Sequence, residues 1–149
     1  MEIKTIGVAV DGSEVTEAVL DMVAAQSKLE GVERVAVACS MPSAIAAADG
    51  VVNFPASAVD EMAQTGKRVL ADAEERLADA PCTVDTYLLR GRDAAETLTA
   101  FFEEQHCDLI VMGNRGLGGV KGYLGSVSRK VLLHASCPVV IVKGDEKQA

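Results

Sequence analysis

The sequence predicts a doubly wound α/β domain: five parallel strands, with helices on both faces of the sheet. Three observations carry this expectation. Short, almost unbroken apolar runs such as residues 3–10 (IKTIGVAV) and 139–142 (VVIV) suit strands covered on both faces. Longer segments between such runs repeat their apolar residues at helical spacing, and the alternation of the two implies right-handed crossovers between parallel neighbours. Aromatics supply only 3% of the residues against a hydrophobic share of 49%, so the core has to be branched strands under alanine-rich helices.

Strand one, residues 3–10, ends in Asp11-Gly12-Ser13. Helix one follows, with Val15, Ala18, Val19, Met22, Val23 and Leu29 on its apolar stripe, Ser13 placed to cap it, Glu14 and Glu17 in the first turn, and Gly31 just past its end. Residues 35–40 (VAVACS) form strand two. The stretch from Met41 to Pro55, with two prolines and Asp49-Gly50, reads as one long irregular connection. Val59, Met62, Ala63, Val69, Leu70, Ala73 and Leu77 then continue helically to about Asp79 despite Gly66, and Pro81 stops the run. Residues 83–89 are strand three. Asp93 and Glu96 open helix three as a capping-box-like pair, with Leu98, Phe101 and Phe102 on its buried side. Residues 109–112 are strand four, 113–125 a glycine-rich turn, 126 to about 134 a short helix, and strand five runs from Pro138 to Val142. The 149 residues suit one domain, with neither a repeat nor a second unit.

Charge narrows the function. A formal net charge of −8 and a pI near 4.7 argue against a nucleic-acid partner, whose phosphates need clustered Lys and Arg. No apolar run approaches the roughly 20 residues of a membrane helix. Cys39, Cys82, Cys107 and Cys137 show no C-x-x-C spacing, and the first residues lack a basic and apolar signal segment. Reduced thiols in a cytoplasmic protein are therefore expected.

In a sheet of order 3-2-1-4-5 the winding reverses between strands one and four, where ligands bind beyond the strand carboxyl ends. The turns meeting there are Asp11-Gly12-Ser13 and Gly113-Asn114-Arg115-Gly116. From Leu109 through Gly144 there is no Asp or Glu, while Arg115, Lys121, Arg129, Lys130 and Lys143 all occur. Six glycines in that window, Gly113, Gly116, Gly118, Gly119, Gly122 and Gly125, can adopt positive φ and bring backbone N–H groups close to an anion. Ser126 then opens a helix whose amino end favours phosphate. The same composition also suits a plain surface loop. The P-loop pattern is absent, and so is the dinucleotide G-x-G-x-x-G after strand one. A flavodoxin-like hydroxyl-rich loop and a phospho-accepting Asp after strand three are likewise missing. His106 and His134 read as helix-end residues, with no metal-ligand spacing and no hydrolytic triad around them.

The segments IGVAVDGSEVTEAVLDMVAA and DLIVMGNRGLGGVKGYLGSVSRKVLLHASCPVVIVK resemble the universal stress proteins, and the likeness runs along the whole chain. It implies an adenine nucleotide alpha hydrolase-like fold that holds ATP, ADP or AMP, with or without magnesium, as a stress-response or signalling module with slow ATP turnover at most. In the nucleotide-binding branch two residues separate the first glycine pair and nine precede the final Gly-Ser or Gly-Thr. Here Gly113, Gly116, Gly125 and Ser126 match, with eight residues, Leu117 to Leu124, in the longer gap. The resemblance implies that Asp11, with Gly12 in its turn, meets the ribose or a phosphate-linked water or metal. Gly113, Gly116 and Gly125, with Asn114 and Arg115 between the first two, cradle phosphates, and Ser126 and Val127 donate to them. Ser40 stands where the family usually sets an apolar residue beside the adenine. A homodimer through strand five is implied too. The alternatives are a nucleotide-free homodimeric interaction protein of the same fold and, third, an adenylyl-transfer or pyrophosphatase enzyme, for which no further acid, base or metal ligands are apparent.

Overall fold

The computed structural model describes residues 1–43, 45–47, 51–115 and 123–144, with backbone alone for 45–47, 51 and 52. Its main sheet is built from β1 (Thr5–Ala9), β2 (Arg34–Pro42), β5 (Thr83–Gly91), β6 (Leu109–Gly113) and β7 (Val139–Val142). All pair in parallel in the order β5-β2-β1-β6-β7, the 3-2-1-4-5 order expected from the sequence. The helices are α1 (Val15–Gln26), α2 (Ala56–Arg76), α3 (Ala94–Glu104) and α4 (Ser126–His134).

Two apolar layers sandwich the sheet. Val15, Val19 and Val23 of α1 and Leu70 and Ala73 of α2 cover Ile6, Val8, Val35, Val37 and Val111 on one face. Leu98, Phe101 and Phe102 of α3 and Val131 of α4 cover Ala36, Ala38, Ile110 and Met112 on the other. The small residues set how closely the layers approach. A Cβ on Gly7 would fall 2.6 Å from the Phe102 ring, and one on Gly66 2.6 Å from Leu88, so Gly66 remains inside α2 because the helix lies close on β5 there.

Several expectations need correction. The connection from Met41 to Pro55 contains regular structure among its described residues: β2 runs through Pro42, and β3 (Ile45–Ala47) pairs antiparallel with β4 (Val51–Asn53). Asp-Gly between two apolar runs is a hairpin signal, and the prolines lie outside the paired residues. Ser13 does not cap α1. Glu14 holds the cap position without a side-chain bond, and Ser13 instead donates its backbone N–H to Asp11 Oδ1 at 2.9 Å. Met22 and Leu29 are exposed, leaving Val15, Val19, Leu20 and Val23 as the buried face of α1. Asp93 does cap α3, accepting from the Glu96 N–H at 3.0 Å. His106 closes the same helix with φ 54°, and His134 is the last residue of α4.

Candidate functional site

The chain winds from β1 outward to β2 and β5, then crosses back to β6 and β7, so the reversal falls between β1 and β6. A cavity of about 420 Å³ opens there, beyond the strand carboxyl ends. One wall is the β1–α1 turn with Asp11, Ser13 and Thr16. Gly113, Gly125, Ser126, Val127 and Ser128 form another. Ala9, Ser40, Ala94, Leu98 and Met112 close a mainly apolar end, and Arg115 completes the lining.

Asp11 owes its place to the turn. Its Oδ1 accepts from the Ser13 N–H and, at 3.3 Å, from the Thr16 hydroxyl, while Oδ2 takes no hydrogen bond among the described residues. The carboxylate is thus oriented by its own loop with one oxygen in reserve. Gly12 does not line the cavity; its φ of +79° lets the chain turn beneath Val69.

On the opposite wall, the Gly125 N–H donates to the Asn114 carbonyl at 2.6 Å and the Asn114 N–H to the Val142 carbonyl at 2.9 Å. The two ends of the glycine-rich turn are thereby clamped to β7. Asn114 is buried outside the lining and Oδ1 accepts from the Gly144 N–H, so its part is structural. Ser128 Oγ donates to the Gly113 carbonyl at 2.7 Å and fixes the first turn of α4. Gly125 caps α4 without a side chain, which leaves that turn's leading N–H groups to the cavity.

Glycine acts here by size rather than by left-handed backbone. Among the described residues only Gly12 and Gly31 are glycines with positive φ. Gly113 is bare because an added Cβ would collide with Val15 Cγ1, and Gly125 has φ −61°. Gly116 and the other loop glycines, Gly118, Gly119 and Gly122, lie outside the described residues, as does Lys121. The acid-free window of the sequence is not acid-free in space. Arg115 is buried with Glu14 Oε2 3.9 Å from its guanidinium, and Lys130 pairs with Asp93 at 3.3 Å.

The universal stress protein family profile matches residues 2–143. The chain belongs to that family. Universal stress protein YxiE of Bacillus subtilis is 32% identical over 143 residues, which cover 91% of this chain and 96% of that one. A universal stress protein from Archaeoglobus fulgidus superposes with a TM-score of 0.74 at 30% identity, covering 96% of each chain. The universal stress protein from Archaeoglobus fulgidus in complex with dAMP gives 0.69 at 28%, covering 96% of this chain and 100% of that one.

For this universal stress protein the structure brings together Asp11, Ser40, Gly113, Arg115, Gly125, Ser126 and Val127 around one cavity, while Gly12 and Asn114 support it from behind. The sequence reading missed Thr16, Leu98, Met112 and Ser128. Met112 was reachable, since it ends strand four beside Gly113. Leu98 and Thr16 come from helices whose depth in the crevice only the packing sets. Among the described residues no group of three or more His, Cys, Asp or Glu could hold a metal, and no helix is long and apolar enough to cross a membrane.

Proposed function

We propose that this universal stress protein binds an adenine nucleotide, ATP foremost, in the cavity between β1 and β6. The observation that carries the proposal is the polarity of that cavity from end to end. The open first turn of α4 and the Gly113 backbone suit phosphates, the Asp11 carboxylate with its spare oxygen suits ribose hydroxyls, and Ala9, Leu98 and Met112 suit the faces of a base. The dAMP complex of the Archaeoglobus fulgidus relative supports the same class of ligand. Magnesium accompanying a triphosphate would meet one protein carboxylate, that of Asp11, in keeping with the few protein ligands this ion takes when phosphates supply the rest. With Asp11 the only carboxylate lining the cavity among the described residues, binding with slow turnover at most is the reading, in a cytoplasmic stress-response or signalling role.

Titration calorimetry with ATP, ADP and AMP tests this. Saturable heat is expected, weakened in Ser126→Ala, and no heat from any of the three up to millimolar concentration would leave the nucleotide-free interaction module. We further infer a homodimer through β7. This strand ends the sheet with Val139, Val140 and Ile141 half-buried and with Leu132 and Leu133 exposed on the neighbouring α4. Such an edge is a liability unless it is covered, by a second copy or by another segment of the same chain. Light scattering should report twice 15.6 kDa, shifting toward the monomer in Ile141→Pro, because the Pro138 and Val142 carbonyls pair with β6 and alternation leaves the Ile141 N–H on the open edge. A wild-type mass of one chain at high concentration rejects the dimer.

A further inference from the structure

We propose that a second cavity, between β2 and α2, binds the soft monovalent ion copper(I) through the sulfur atoms of Cys39, Met41 and Met62. This cavity has a volume of about 330 Å³ and lies on the face of the sheet that α1 and α2 cover. Among the described residues it shares only Asp11 and Ser40 with the cavity between β1 and β6. Cys39 and Met41 are alternate residues of β2 and so stand on one face of the strand. Met62 and Gly66 lie one turn apart on the side of α2 that faces them. A Cβ on Gly66 would fall 3.6 Å from Cys39 Sγ, so the bare glycine leaves space beside the thiol. Met41 and Met62 pack in one apolar cluster, and Leu88 touches both that cluster and the one holding Cys39. One thiol and two thioethers therefore line the same small space.

Thiolate and thioether donors select copper(I) over harder ions such as magnesium or calcium. Methionine is unbranched and turns about three side-chain bonds, so both Sδ atoms can be brought onto an ion without moving the backbone. Charge points the same way: Asp11 and Glu61 line this cavity, and among the described residues no Lys, Arg or His does. The set lies outside the His, Cys, Asp and Glu groupings considered above, because two of its three members are thioethers. Binding exchanges the Cys39 thiol proton for the metal. Copper(I) and the thiol give a copper(I) thiolate and one proton released to solvent, with no change of oxidation state. Leucine at both methionine positions would serve packing as well, so packing and metal binding make different predictions.

The test uses the full chain with Cys82→Ser and Cys137→Ser, which removes the two partly exposed thiols. Copper(I) is titrated into it without oxygen, against a chromogenic copper(I) chelator. One ion bound and one proton released per chain are expected. Met41→Leu and Met62→Leu, which conserve volume, should each weaken the affinity about tenfold or more, the least that loss of even a supporting group costs a metal site. Met62 is half-buried, so its variant keeps the fold and the test stands on it alone if the buried Met41 position does not tolerate change. X-ray absorption of the loaded protein should show a shell of sulfur only. No binding beyond the chelator's reach would overturn the inference. So would unchanged affinity in Met62→Leu, which reduces the site to a lone thiol, or a shell of oxygen or nitrogen.

Discussion

Replacing Gly113 by alanine tests whether the crevice is shaped by steric fit between β6 and α1. Gly113 does not have positive φ, so alanine is conformationally free there and any loss has to come from contact. An added Cβ would overlap Val15 Cγ1 and come within 3.2 Å of Val15 Cβ. Val15 is 1% exposed and packed in the core, which leaves it little room to swing aside. Overpacking of this kind costs about 1–3 kcal/mol. For a chain of this length that lowers Tm by about 3–10 °C. Val15→Ala alone should cost about 2 kcal/mol through the space it leaves. In the double variant the new methyl occupies part of that space, so its loss should fall short of the sum by about 1 kcal/mol or more. Urea denaturation of the four proteins measures the cycle, and ATP titration follows the cavity in the same set. Strict additivity, or a Gly113→Ala protein as stable as wild type, would refute the steric account.

Arg34 donates to Asp85 at 2.8 Å, to Gln105 at 2.8 Å and to the Tyr87 hydroxyl, tying β2, β5 and the end of α3 together. Arg34→Met should lower denaturant stability by about 1–3 kcal/mol, and a neutral result would show the network to be dispensable. The Glu96 N–H, followed by the Lys130 ammonium, holds the Asp93 carboxyl below its ordinary value of 3.8. A lowered carboxyl contributes stability above its unfolded pKa and loses it as pH falls through the folded value. Asp93→Asn should therefore flatten the acid limb of stability below about pH 5, and an unchanged acid limb would rule this out. Burial pushes the Cys39 thiol up to about 11, with the Asp11 charge adding to it, and burial pushes Cys107 up to about 12. At pH 8 iodoacetamide should label Cys82 and Cys137, which are partly exposed, well before those two. Peptide mass spectrometry reads the order, and equal rates would contradict it.

Much of the fold was legible because its signals are local. Apolar runs mark strands buried on both faces, helical spacing marks α1 to α4, and Asp93 before Glu96 marks the start of α3. The strand order 3-2-1-4-5 entered as an assumption that the structure bears out, and the position of the crevice followed from it. Asp11, Gly113, Gly125 and Ser126 could be placed at one site from the sequence because each ends a strand or opens a helix at the reversal. The hairpin of β3 and β4 was also signalled, by Asp49-Gly50, but the two prolines outweighed it in the reading.

Tertiary structure alone decided what each site residue does, because side-chain environment depends on neighbours distant in the chain. Nothing near Gly113 in sequence shows that Val15 forbids it a side chain, nor that Asn114 serves the loop's closure. The cationic window of residues 109–144 looked open because its sequence contains no acid, yet Glu14 and Asp93 arrive from other elements. The resemblance placed Ser40 beside the base, where the family usually sets an apolar residue. That its hydroxyl is shut off from solvent with no partner among the described residues is an outcome of packing. Local physics wrote the elements and their order into the chain, whereas burial, charge pairing and hydrogen-bond satisfaction at the site arise only when distant segments meet.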